Sequence, residues 1–205
     1  MTISRVKGLD IITQNPRFAI YLLASAFIGM TMGIYNYYQT LFFQSLDASS
    51  WLVGIIISIQ ALVEVPMIML APHLLKKISA KWVILIGAIA LPVRWLLYTF
   101  IEEPLWILPT QLLNGVAVVS FFVVGVTFTD KIIDPKWRAT GQGLYSTALM
   151  GIGSGLGVFL AGGVLERYGV RSIWYLSFIL GMVGLFFLLL SFRRTEKPAV
   201  KTKHH

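Results

Sequence analysis

The 205-residue sequence predicts an all-α membrane protein with six transmembrane helices. Three observations carry that reading. Hydrophobic residues make up 57% of the chain and charged residues 13%, whereas soluble domains are about 25% charged. Six apolar runs are each long enough to cross a bilayer, which takes about 20 helical residues. Lys and Arg are dense in alternate connecting loops and sparse in the others, as the positive-inside rule requires of a multi-pass chain.

In chain order the runs span 18–43, 51–75, 82–100, 105–128, 140–165 and 172–192. The first is too long, and too far from any small-residue cleavage site, to be a signal peptide. With the N-terminus inside, the inner loops and tails hold Arg5, Lys7, Arg17, Lys76, Lys77, Lys81, Lys131, Lys136, Arg138, Arg193, Arg194, Lys197, Lys201 and Lys203. The outer loops hold Arg167 and Arg171, with Asp47, Glu102 and Glu103. Both termini are therefore expected in the cytoplasm of a multi-pass inner-membrane protein. The sixth run has almost no polar residues and is expected to face lipid.

Composition also excludes chemistry. Without cysteine there are no disulfides, thiol nucleophiles or zinc–thiolate sites. His73 stands alone, and His204 and His205 end a polar tail, so neither a metal nor a cofactor is expected. The net charge of +8 flanks apolar runs instead of forming a solvated patch, which argues against nucleic acid. No nucleophile–base pair or phosphate loop is present, so the chain does not read as an enzyme.

An internal match suggests how the six helices are arranged. The segment 70–81, which ends the second run, resembles 160–171, which ends the fifth, in its Leu-Ala, its later Leu and two basic positions. Chance between two short loops is the competing explanation. A real repeat makes runs 1–3 and 4–6 two copies of a three-helix unit. The odd number of helices inverts the second copy, an arrangement of secondary transporters. The expected divisions are a linker 1–14, a first repeat 15–101, a second repeat 102–192 and a tail 193–205.

Glu64 and Arg94 are the charged residues deep within the runs. An intramembrane charge costs several kcal/mol unless paired or solvated, so both are functional-site candidates. Their depths agree, at about 18 and 20 Å from the basic end by the rise of 1.5 Å per residue. Pro66 and Pro92 lie two residues from them and predict disturbed backbone there. The alternatives are a coupling pair for a proton or solute and a fixed salt bridge joining two helices.

Gln60 lies one turn before Glu64, and Gln111 and Asn114 share a face of the fourth run. These amides can bind a polar solute or bond between helices. Asn36, within Tyr35-Asn36-Tyr37-Tyr38, is a candidate outer contact in an interfacial aromatic belt. Asp130, Asp134 and Arg138 form either an inner gate or an ordinary solvated loop. Gly151, Gly153, Gly155 and Gly157 mark the fifth run as a packing surface.

Several of these pieces together resemble the C-terminal six-helix half of major facilitator superfamily transporters, within the lactose-permease-like group of proton symporters. They are Asn15-Pro16-Arg17-Phe18, Glu64-Val65-Pro66, Arg94-Trp95 and the segment Pro135-Lys136-Trp137-Arg138-Ala139-Thr140-Gly141-Gln142-Gly143, in that order along the chain. The resemblance implies that runs 1 and 4 line a central cavity. It also implies half of a secondary active transporter that moves a small polar solute, coupled to protons, by alternating access in a twelve-helix unit. The partner would be a second six-helix half, either a second copy or a separate N-terminal half. Asn114 and Ala117 stand where that group has a relay histidine and an acid, so its proton relay does not carry over. The alternative is a six-helix membrane domain that serves folding or assembly without transport.

Overall fold

The computed structural model describes residues 8–193. Residues 1–7 of the expected linker, and the expected tail beyond Arg193, lie outside them. All regular elements among the described residues are helical. A short α1 (Gly8–Gln14) leads into six long apolar helices: α2 (Pro16–Ser45), α3 (Ser50–Lys77), α4 (Ala80–Phe100), α5 (Pro104–Ile132), α6 (Pro135–Tyr168) and α7 (Ser172–Arg193). Each corresponds to one predicted run.

Local chemistry explains where the helices begin. The Asn15 side chain accepts a hydrogen bond from the Phe18 N–H at 3.0 Å, and Pro16 occupies the first turn, where no amide hydrogen is needed. Asn15 Nδ2 also donates to the Ile132 carbonyl at 2.9 Å, tying the start of α2 to the end of α5. Asp134 accepts from the Lys136 N–H at 3.1 Å and starts the 3₁₀ turn that opens α6.

The packing has internal symmetry. α2 packs on α6 and α7, α5 packs on α3 and α4, and α4 packs on α7. Exchanging α2 with α5, α3 with α6 and α4 with α7 reproduces the same set of pairs. The two triplets are interleaved, because α2 and α5 find their main partners in the opposite triplet.

The α2–α6 crossing depends on glycine. Gly29 and Gly33 of α2 face Leu149 and Ser154, while Gly153 and Gly157 of α6 face Ala26 and Met30. A Cβ at Gly157 would fall on the Met30 carbonyl, so the two backbones are in contact. Gly155, on the other face of α6, has open space. The four-glycine run thus divides into an inner pair that packs and an outer pair that is exposed.

α7 divides into a packed face and an open one, with 39% of its most apolar window buried. α7 buries Trp174, Ser177, Leu188 and Ser191 against α2 and α4. Its open face exposes Tyr175, Ile179, Met182 and Phe186, and α3 and α6 are more open still. Only 11% and 22% of their most apolar windows are buried, against 61% for α2 and α4.

The expected backbone disturbance is also relocated. α3 and α4 run unbroken through Pro66, Pro72 and Pro92. π-helical turns occur instead at Val119–Val124 in α5 and Thr147–Gly153 in α6. Wider turns of this kind present carbonyls sideways, and two nearby carbonyls are taken by tyrosines. Tyr145 donates to Phe121 O at 2.7 Å and Tyr21 to Gly125 O at 3.1 Å. The two rings stack at 5.4 Å.

Arg171, a basic residue on the sparse side, donates from Nη1 to the Thr99 carbonyl at 3.0 Å. It caps the C-terminal end of α4, where a cation is favourable near the carbonyl end of a helix.

Gly157→Leu is expected to destabilise the bundle by roughly 3 kcal/mol, since overpacking here meets backbone. Gly155→Leu should be neutral in this chain alone. Thermal unfolding in detergent measures both; equal losses would contradict the assigned crossing.

Candidate functional site

Glu64 of α3 and Arg94 of α4 do not form a direct ion pair among the described residues. The sequence places their helices side by side, but α3 and α4 both pack on α5, which lies between them. Asn114 of α5 joins the two charges. Its Oδ1 accepts from Arg94 Nη1, and its Nδ2 donates to Glu64 Oε1 at 2.6 Å. The chemistry sets this amide orientation, since guanidinium only donates and carboxylate only accepts.

The bonds continue into a ring. Arg94 Nη2 donates to Gln111 Oε1 at 3.1 Å and to the Tyr98 hydroxyl at 3.2 Å. Tyr35 of α2 donates to Gln60 Oε1 at 2.7 Å and lies 3.5 Å from Gln111 Oε1. Gln60 Nε2 returns to Glu64 Oε1 at 3.0 Å. Four helices thus contribute to one polar network within an apolar bundle.

Aromatic rings enclose the cation. The Arg94 guanidinium carbon lies 4.0 Å from the Tyr35 ring centroid, 4.9 Å from Trp95 and 5.3 Å from Tyr98. Trp174 of α7 stacks on Trp95 at 5.5 Å and meets Tyr98 edge-on at 4.9 Å. Cation–π contacts in such a dry setting are each worth ~1–2 kcal/mol. Arg94 is fully buried, whereas Glu64 is half-buried.

Beside this network lies a cavity of about 350 Å³, in the range of small-molecule sites. Tyr35, Asn36, Gln60, Glu64 and Asn114 supply its polar lining, and Trp95, Leu91, Ile68 and Phe122 supply apolar lining. Asn36 is exposed at its edge. Among the residues singled out from sequence, Glu64, Gln60, Asn114 and Asn36 line the cavity. Gln111 and Arg94 stand behind it.

Trp95 and Tyr98 have roles that sequence reasoning missed. Tyr98 lies one turn after Arg94, and that i to i+4 spacing is the signal that would have found it.

The inner-loop residues stand apart from this site. Asp130 accepts from Gln142 Nε2 at 2.7 Å, linking α5 to α6. Asp134 caps the turn and lies 3.4 Å from Lys136. Arg138 is exposed at the start of α6. Among the described residues no group of three His, Asp or Glu side chains can hold a metal.

A family model, the MFS_1 like family, matches residues 4–176. The chain belongs to this major facilitator family. It is 26% identical to the xanthosine permease of Escherichia coli (strain K12), over 96% of this chain and 52% of that protein. It is 29% identical to the nucleoside permease NupG of the same organism, over 81% of this chain and 43% of that protein. The crystal structure of the nucleoside transporter NupG superposes with a TM-score of 0.81 at 25% identity, covering 95% of this chain and 53% of that one. The chain spans about half the length of these relatives. They are permeases and not enzymes, and the six-helix bundle is a fold shared with a major facilitator transporter.

Asn114→Leu is expected to leave both charges short of a partner. Losing hydrogen bonds to buried charged groups costs about 3 kcal/mol or more. Tyr35→Phe removes one neutral bond and should cost about 1 kcal/mol. Thermal unfolding of the two variants checks this order, and equal effects would contradict a bridging role for Asn114.

Proposed function

We propose that the chain is one six-helix half of a secondary active transporter. In this reading a twelve-helix unit carries a nucleoside-sized polar solute by alternating access, coupled to protons. The observation that carries the proposal is the unequal exposure of the two charges. Glu64 borders the cavity on the least buried helix, while Arg94 is sealed behind Asn114 and the aromatic rings.

Arg94 is then the fixed member and Glu64 the exchangeable one. As a carboxylate, Glu64 only accepts. Once protonated, it keeps an acceptor for Asn114 and gains a donor for the solute. Proton and solute binding are thereby linked, each changing the affinity for the other by the same factor. Trp95 and Phe122 offer ring faces, and Gln60, Asn114 and Asn36 offer hydrogen-bonding groups, as a heterocycle joined to a sugar requires. The names of the matched permeases support a nucleoside as the solute class.

The open apolar faces of α3 and α6 favour a second six-helix half, and the half-length match to the relatives supports the same partner. Asp130, Asp134 and Arg138 border the basic end and serve this scheme as contacts that form and break with that half. The clustering of Lys and Arg there favours an inner membrane with both termini cytoplasmic.

Proteoliposomes holding the assembled twelve-helix unit test the reading with a radiolabelled nucleoside and an imposed inward proton gradient. Accumulation is expected for the native protein. Glu64→Gln should lose the response to the gradient, and gradient-driven uptake that survives this change would overturn the coupling role. Arg94→Lys keeps the charge but loses the planar fork, so uptake should fall at least about tenfold, given the network bonds lost.

A further inference from the structure

The basic end of the bundle holds a second site, unconnected with the solute cavity. A groove of about 280 Å³ lies between the start of α4 and the end of α7. Lys81 and Arg193 stand on its rim and Trp82 on its side. Leu85, Leu189 and Phe192 form an apolar wall.

The internal symmetry makes this groove unusual. Arg171 lies just before α7 and Lys81 in the first turn of α4, and the two occupy matching places in the similar segments 70–81 and 160–171. At the outer end Arg171 is engaged by the Thr99 carbonyl of α4. At the basic end Lys81 lines the same groove as a second cation, Arg193. No carboxylate among the described residues pairs with either one. Ser79, at the start of α4, makes no capping bond with its side chain, so the first amides of that helix also lack that partner. Two cations line one groove, with helix-start amides nearby and no carboxylate partner among the described residues, a lining that suits an anionic ligand.

We infer that this groove binds an anionic phospholipid. Its phosphate lies between Lys81 and Arg193, and an acyl chain runs along Leu85, Leu189 and Phe192. Trp82 is 61% exposed, at the level where indoles anchor in the headgroup region. Basic pockets between transmembrane helices on the positive side suit lipid phosphates, and each nearby cation strengthens the binding. The apolar wall favours a lipid over a free phosphate. The site does not depend on solute transport or on the second half.

Brominated acyl chains quench nearby tryptophan. Purified protein in detergent is titrated with brominated dioleoylphosphatidylglycerol or with brominated dioleoylphosphatidylcholine. The Trp82 signal is the difference between native protein and Trp82→Phe. Phosphatidylglycerol should quench it at a concentration roughly 30-fold lower than phosphatidylcholine does, the value expected from two cations. Lys81→Gln with Arg193→Gln should remove that preference, and Lys131→Gln with Lys136→Gln should leave it intact. Equal quenching by both lipids in the native protein, which needs no variant, would overturn the inference. Loss of preference in both double variants would reduce it to general attraction by the basic end. Displacement of the lipid by millimolar inorganic phosphate would show a free-anion site instead.

Discussion

The buried guanidinium of Arg94 is the constraint on which the rest of the bundle depends. A cation in a dry, apolar interior is tolerated only with a counter-charge, hydrogen bonds or both. This one has three side-chain acceptors, Asn114, Gln111 and Tyr98, and three ring faces. Meeting that demand draws in α2 through Tyr35 and α5 through its two amides. α7 supports the rings through Trp174. The helices α2, α4, α5 and α7 are thereby registered to one another at this depth.

The counter-charge itself is held at one remove. An amide between acid and base transmits orientation without making a contact ion pair, and this leaves Glu64 facing the cavity. A direct bridge would have been harder to open, because separating buried charges is expensive. With Asn114 between them, a change at Glu64 alters one hydrogen bond and the field at Arg94, while the cation keeps its other partners. The arrangement joins a sealed cation to a polar cavity wall.

Rigidity and freedom are divided in the same way across the bundle. The α2–α6 crossing is locked by backbone contact at Gly153 and Gly157, and α7 is packed along one side. The π turn of α6 runs into that crossing at Gly153 and the π turn of α5 packs on α4, with Tyr21 and Tyr145 holding carbonyls in and just after the latter. α3, which carries Glu64 and Gln60, is the least buried helix. The polar groups nearest the cavity are thus mounted on the helix with the fewest intramolecular restraints.

The sequence by itself determined the six spans, their alternation and the two charges. Hydropathy over about 20 residues is a local quantity, and the cost of an intramembrane charge does not depend on which neighbour satisfies it. The likeness of 70–81 to 160–171 was legible too, as two similar loops whose helices occupy exchangeable places in the packing. Tertiary structure decided which residues meet. Helices adjacent in sequence need not touch, so Glu64 and Arg94 could not be known to be separated by α5. The aromatic enclosure combines α2, α4 and α7, which no local pattern links. Pro66 and Pro92 were poor guides to distortion, because a long helix held by its neighbours continues past one missing hydrogen bond. Whether a glycine or a basic residue is engaged or left open depends on what lies opposite, as Gly157 and Gly155, or Arg171 and Lys81, illustrate.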